Sequence, residues 1–457
     1  MDFDAIVIGS GFGGAITACR LAEKNKRVLV LERGREWDKD TYPRAIGDDW
    51  IWSNTHPEKY HGWTDLRMFK GMAVIAGAGV GGGSLIYANV SAIPPKSIFQ
   101  RGWPPEITYE EMIPYYTKAG DVLDVQEVPA NQWSPRVHLL KEAADKLGQG
   151  ERFRLAPVAV SFDKDLHYDF ANLPDVSNST PFENKHGAQQ GTCAHLGECD
   201  IGCRVEAKNT LNKNYLFLAR KNHAEVRPLH LVTDIEVIPG GYRIYHDELR
   251  EGARVSGNTT ANCVIVAAGS MGSTELLLRC RDVTRTLPDV SRFLGKNWSS
   301  NGDFLTPALY LHRDIWPDRG VAIGAVIDYL DGFDNGKTFW IQDGVIPNVM
   351  GKYFEAIMDR LQKSPEETHL LSAFSMQSLL QHVTLLSANL NVFKHIMLWF
   401  AQGVDAGNGE LSLSGGNLDL KWDIQQSLPL FETLLAKQKE QPMGIPSRYP
   451  LGCFVRS

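Results

Sequence analysis

The stretch Ala5-Ile6-Val7-Ile8-Gly9-Ser10-Gly11-Phe12-Gly13-Gly14 sets how the chain begins to fold. Its first four residues form a short apolar run rich in β-branched side chains, the pattern of a parallel strand buried on both faces. The glycines then follow the spacing G-x-G-x-x-G, with Gly9 serving a tight turn, Gly11 a close backbone approach, and Gly14 contact between helix and strand. Beyond them Ala15, Ala18, Cys19 and Ala22 recur at helical spacing, a small-residue face suited to packing on a sheet. Arg27-Val28-Leu29-Val30-Leu31 reads as a second strand and ends at Glu32. In such a unit the helix amino terminus can hold a pyrophosphate, and the carboxylate can accept hydrogen bonds from ribose hydroxyls. The pattern predicts an adenine dinucleotide site, with an acid that disfavours a 2′-phosphate. The plainer alternative is a glycine turn between packed elements.

Working outward, the 42 glycines fall into clusters, and a glycine cluster marks backbone that passes close to something. The second cluster, Gly77-Ala78-Gly79-Val80-Gly81-Gly82-Gly83-Ser84, continues through Leu85-Ile86-Tyr87-Ala88-Asn89. It is too poor in side chains for a core element and suits backbone running along a flat ring system. One extended cofactor touched at several places favours FAD over a nicotinamide nucleotide. The third cluster, Gly269 to Gly272, follows a strand from Cys263 to Ala268 and opens a helix through Leu276-Leu277-Leu278.

At about 150 residues per domain, 457 residues make two large lobes or three domains. With 47 basic and 54 acidic residues the net charge is −7, which gives no electrostatic reason to expect nucleic acid or an anionic membrane surface. No apolar run of about 18 residues predicts a transmembrane segment, so a soluble chain is expected. Asp2 and Asp4 stand where a signal peptide would be basic, so a cytoplasmic location is the default. Seven cysteines are an odd and sparse number, and structural disulfides are not expected. The polar stretch from about Asn172 to Gln190 reads as a surface loop. The very apolar region from about His369 to Gln402, including Ile396-Met397-Leu398-Trp399-Phe400, reads as a core helix pair, with a substrate-cavity wall or membrane-touching lid as alternatives.

Taken with further motifs, the chain resembles the glucose-methanol-choline oxidoreductase family, and within it the cholesterol oxidase branch. Beyond the glycine segments, the likeness runs through Phe99, Trp103-Pro104, Pro114-Tyr115-Tyr116, Ala207-Lys208-Asn209-Thr210 and Asn214-Tyr215-Leu216. It continues through Val264 to Ser270, Thr274-Glu275-Leu276-Leu277, Gly295-Lys296-Asn297-Trp298 and Asn301-Gly302. Cys280-Arg281-Asp282-Val283 stands in place of the wider family's second signature, which points to the sterol-oxidase branch. The resemblance implies an α/β fold: a doubly wound, FAD-binding Rossmann-like domain with a second α+β substrate-binding domain. It allots residues 1–130, 190–300 and 405–457 to the first and 131–189 with 301–404 to the second.

The resemblance further implies FAD held by Gly9, Ser10, Gly11, Phe12, Gly13, Gly14, Glu32 and Arg33, with Gly79, Gly82, Gly83 and Ser84 along the pyrophosphate and flavin. Ala268 and Gly269 join them, Asn89 lies beside the isoalloxazine, and the Val232 backbone lies near the adenine. The implied reaction is oxidation of a bulky, apolar, sterol-like alcohol, with oxygen, a quinone or a carrier protein as electron acceptor.

The likeness breaks near the end. Where the family has a histidine before Pro-Leu-Gly-Gly-Cys, this chain has Tyr449-Pro450-Leu451-Gly452-Cys453, and the family's later asparagine or histidine has no counterpart. A phenol, with a reference pKa of about 10 against about 6.5 for imidazole, is a poor base at neutral pH. The chain therefore reads as ending short of the family's catalytic segment, and a catalytically impaired FAD-binding protein is the alternative function. The strand Thr338-Phe339-Trp340-Ile341-Gln342-Asp343-Gly344 offers Gln342 where sterol oxidases carry a glutamate, with Asp343 facing the other way. Asn89, Gln342 and Tyr449 are thus the candidate catalytic residues. Cys193, Cys199 and Cys203 cluster like an iron-sulfur run, but there is no fourth cysteine nearby, so a cysteine-rich turn without metal is expected and an electron-relaying iron-sulfur flavoprotein is the third reading.

Overall fold

The structure is a computed structural model that describes residues 1–250, 252–310, 312–352, 392–440, 445–446 and 454–456. Phe3–Ile8 lies at the centre of a six-stranded sheet, parallel to Val28–Leu31 on one side and to Ala253–Val266 on the other. Glu225–Arg227 extends the parallel side, and His230–Ile238 with Gly241–Arg250 forms an antiparallel extension beyond Ala253–Val266. The apolar runs at the centre are explained by cover on both faces. Helix Phe12–Ala22 and helix Tyr215–Lys221 pack on Val7, Val28 and Val30, while Leu276 of helix Gly269–Leu278 packs on Ile6, Ile8, Leu29 and Leu31. This is the doubly wound arrangement expected.

A second six-stranded sheet follows the order Ile445–Pro446, Phe304–Leu309, Ile396–Gly403, Lys337–Gly344, Ala325–Asp334, Phe153–Leu155. One face carries Phe339, Ile341, Met397, Trp399 and Ala401 and is covered by Val137, Leu139 and Leu140 of helix Pro135–Lys146 and by Leu430, Phe431 and Leu434 of helix Leu428–Glu440. The other face carries Leu305, Val326, Trp340 and Phe400 and packs toward Ala88 and Val90, where the second glycine segment ends.

Two expectations are corrected here. Ile396–Gly403 is a strand, not a helix: it lies between Phe304–Leu309 and Lys337–Gly344, and its unbroken apolar run serves a sheet buried on both faces. The remainder of that region, 353–391, lies outside the described residues. Residues 405–457 also do not all join the dinucleotide-binding module. The hairpin Glu410–Ser414 with Asn417–Lys421 packs Leu411 and Leu420 beside Met72 and Met271, and Phe454–Arg456 pairs with Met72–Gly77. Helix Leu428–Glu440 and Ile445–Pro446 belong instead to the second sheet, because their apolar or edge groups are satisfied there. Around the polar stretch, Pro181–Glu183 and Gln189–Gly191 form a short hairpin. Among the described residues no helix is long and apolar enough to cross a membrane.

Candidate active site

The turn after Phe3–Ile8 is built from groups that leave no room for side chains. Gly9 has φ +94°, and a Cβ on Gly14 would lie 2.0 Å from the Gly9 carbonyl oxygen. Gly82, at φ +52°, brings the second glycine segment against the first, so that a Cβ there would lie 2.7 Å from Gly11 Cα. Gly11 is the N-cap of helix Phe12–Ala22 and has no side chain to occupy the first-turn N–H groups. An uncapped helix amino terminus that opens on a cleft is an anion site.

That cleft has a volume of about 580 Å³ and is lined by Gly9, Ser10, Gly11, Phe12, Gly13, Glu32, Arg33, Gly82, Gly83, Val232, Ala268 and Gly269 among others. Twelve of the residues expected from the sequence therefore converge on one space. Gly14, Gly79, Ser84 and Asn89 do not line it. Gly14 allows the helix to meet the turn, and a side chain on Gly79 would strike the Trp37 ring. The Ser84 hydroxyl donates to the Gly81 carbonyl at 2.7 Å and accepts from Leu211 N–H at 3.1 Å, fixing the loop from within.

Glu32 is buried at the end of its strand, at 5% exposure. Its Oε2 accepts from both the backbone N–H and the hydroxyl of Ser10, at 3.0 and 2.7 Å, and its Oε1 accepts from Gly34 N–H at 2.9 Å. The Ser10 hydroxyl also accepts from Gly81 N–H at 3.0 Å. The acid thus organises both glycine segments, and it lines the cleft with one lone-pair position to spare.

Arg33 was expected, but several lining residues around it carried no recognisable signal in sequence. Arg33 and Arg67 both donate to the buried Asp65 carboxylate, at 2.8 and 3.0 Å, and Arg67 also donates to Glu275 at 2.6 Å. Burial alone would raise the Asp65 pKa, but the two guanidiniums prevail and hold it below the ordinary carboxylate value. His230, Trp52, Asn54 and Met271 also line the wall. These residues come from four separate elements, and no local spacing links them.

Asn89 is fully buried at φ +68°, and neither its amide nitrogen nor its amide oxygen has a hydrogen-bond partner within the protein. Gln342 is fully buried on the second sheet, on the face turned toward the glycine segment; its Nε2 donates to Gln402 Oε1 at 2.8 Å. Asp343 indeed points the opposite way, into an ion pair with Arg136 at 2.8 Å. Tyr449 lies outside the described residues. Cys193 and Cys199 are buried and Cys203 partly so, all as free thiols. Burial pushes the Cys199 pKa up to about 11 and raises those of its two neighbours, which favours thiol over thiolate.

Residues 7–37 match the NAD(P)-binding Rossmann-like domain family. The chain is 33% identical over 347 residues to a cholesterol oxidase of Acinetobacter baumannii, covering 72% of this chain and 59% of that protein. It is 34% identical over 335 residues to a cholesterol oxidase of Mycobacterium tuberculosis, covering 71% and 56%. The chain is similar to proteins of the glucose-methanol-choline oxidoreductase type, one of them a GMC-type oxidoreductase of Mycobacterium tuberculosis at 26% identity over 60% of this chain and 39% of that one. It spans somewhat more than half the length of the two cholesterol oxidases. The fold is also similar to that of pyridoxine 4-oxidase from Mesorbium loti, with a TM-score of 0.54 at 13% identity over 98% of this chain and 82% of that one. FAD is the family's cofactor, and the residues present fit its ADP half: an uncapped helix amino terminus for the pyrophosphate, a buried acid at the second strand, and Gly9, Gly14 and Gly82 where a Cβ would collide.

Proposed function

We propose that this chain is an FAD-dependent oxidoreductase that oxidises the CH–OH group of a bulky, apolar, sterol-like alcohol. The observation that carries the reading is the joining of Glu32, Ser10 and Gly81 into one hydrogen-bonded unit that sets both glycine segments around the cleft. The likeness to cholesterol oxidases supports the substrate class, as does the apolar face of Leu305, Val326, Trp340 and Phe400 toward the end of the glycine segment. When bound, FAD supplies a flavin N5 able to take the carbinol hydride.

The protein's own part is to hold and orient. The amino terminus of helix Phe12–Ala22 stabilises phosphate charge, and Glu32 fixes the turn that presents the ribose site. Asn89 and Gln342 are amides, so they can position an alcohol but cannot take its proton. Oxygen, a quinone and a carrier protein remain the acceptors to be compared.

The test is anaerobic. Purified protein should show flavin absorbance, alone or after reconstitution with FAD, and the band should bleach on addition of cholesterol. Protein that takes up no FAD refutes the reading; protein that holds FAD and is reduced only by small polar alcohols refutes the substrate class.

A further inference from the structure

On the inner face of the second sheet three polar side chains form a chain of hydrogen bonds. Gln342 and Gln402 are diagonal neighbours, since Gln342 is paired with Phe400 in the register. Gln342 Nε2 donates to Gln402 Oε1 at 2.8 Å, and Gln402 Nε2 donates to Asp303 Oδ1 at 2.8 Å. Asp303 is buried at 2% exposure, just before strand Phe304–Leu309, and its Oδ1 also accepts from Asn301 Nδ2 at 3.2 Å.

The ends of this chain dictate its polarity. A carboxylate oxygen accepts, so the Gln402 group facing Asp303 is the NH₂. Independently, the Trp340 indole N–H, which can only donate, meets the other end of the same amide, Gln402 Oε1, at 3.3 Å. With Gln402 Oε1 fixed as an acceptor, Gln342 must turn its own NH₂ toward it. That leaves Gln342 Oε1 buried and without a partner in the protein. An unpaired buried carbonyl is costly, and the cost is removed when a bound group donates to it. Its surroundings are apolar: Val326 and Phe400 flank it in register, and the cluster they belong to reaches Ala88 and Val90 on either side of Asn89.

We propose that Asp303, Gln402 and Gln342 form a polarity-setting relay that makes the substrate site selective for a hydrogen-bond donor, with Gln342 Oε1 accepting from the substrate hydroxyl. Gln342 binds; Gln402 and Asp303 are positioning residues. The inference rests on the alcohol-oxidising reading above and adds a consequence to it. The alcohol has a donor to offer and the carbonyl product has none, so the relay holds the alcohol and disfavours the product.

The experiment uses the full chain with FAD bound and compares the KM for cholesterol with the competitive inhibition constants of its 3-methyl ether and of the corresponding 3-ketone. The native protein should bind cholesterol at least about ten-fold more tightly than the ether or the ketone, the size expected for one hydrogen bond to a buried acceptor. Gln342→Met should erase that preference, and its loss of activity should be carried by KM more than by kcat. Asp303→Asn, which releases the anchor but keeps the shape, should reduce the preference without erasing it. Flavin content and melting temperature of each variant report folding separately. A Gln342→Met protein that is folded, flavin-loaded and still prefers cholesterol overturns the proposal, as does a kcat collapse at unchanged KM. A native protein that holds no flavin, or that no alcohol reduces, refutes the functional reading itself, and the relay falls with it.

Discussion

Glu32 holds Ser10 twice, through the backbone N–H at 3.0 Å and through the hydroxyl at 2.7 Å, both on the same carboxylate oxygen. Since Gly34 N–H occupies the other oxygen, the side chain must be an acceptor at both ends.

Glu32→Gln is therefore not a mild change. Its NH₂ would face either the two Ser10 donors or Gly34 N–H, and one set is left opposed. We expect FAD affinity to fall at least about ten-fold, close to the effect of Glu32→Ala, because one mispaired buried donor costs roughly 1–3 kcal/mol. Reconstitution followed by quenching of FAD fluorescence measures it, and native affinity in Glu32→Gln would contradict the assignment.

Two adjacent glycines should respond with opposite signs. Gly14→Ala places a Cβ 2.0 Å from the Gly9 carbonyl oxygen and 3.2 Å from Val7 Cγ1, so the backbone must move, at about 3 kcal/mol or more. Gly13→Ala meets only Ala267 Cβ at 3.8 Å and sits in a helix, where alanine gains up to about 1 kcal/mol over glycine. Thermal melting of the two variants should bracket the native protein.

Asp343→Asn should destabilise without touching the substrate face. Arg136 and Asp343 are both fully buried, and Asp343 Oδ1 also accepts from Gly324 and Ala325 N–H at 2.7 and 2.8 Å. Removing one charge leaves the other uncompensated, for an expected loss of about 3–5 kcal/mol. Denaturant titration should show it, while flavin content per folded molecule stays at the native level.

His195 carries a pH dependence. It is buried between Tyr168, stacked at 5.2 Å, and Phe170, and its Nε2 lies 3.0 Å from Gln132 Oε1. Burial lowers its pKa to about 4 from 6.5. The unfolded chain therefore binds this proton first, and the stability that neutral His195 contributes is full above pH 6.5 and drains as pH falls toward 4, by roughly 3 kcal/mol in all. Compared by urea titration at pH 7.5 and 4.5, His195→Gln should lose less stability than the native protein. An equal loss in both would show that His195 does not titrate as described.

The strand, glycine turn, helix, strand and acid were all legible in the first 32 residues because each is a local pattern: an apolar run, fixed glycine spacing, a small-residue helical face. The strand entering Gly269 was legible for the same reason. Ile396–Gly403 was not, since an apolar run buried on both faces has no period to tell strand from helix. The relay partner Gln402 and the Arg67–Asp65–Glu275 network were equally hidden. Glu275 lies far from Arg67 in the chain, as Gln402 does from Gln342 and Asp303, and such partners meet only through sheet register and packing, for which no local signal exists. Gln342 could be placed on its strand and face, but the unpaired oxygen it presents followed only from the coordinates.

The backbone contact between Gly82 and Gly11 has a practical corollary for protein engineering. With no side chain on either partner to give way, diversity cannot be introduced at Gly82 alone: a library randomised there should return glycine among folded clones. The two turns amount to a single indivisible part, and anyone grafting the nucleotide cradle onto another scaffold would have to transplant both together.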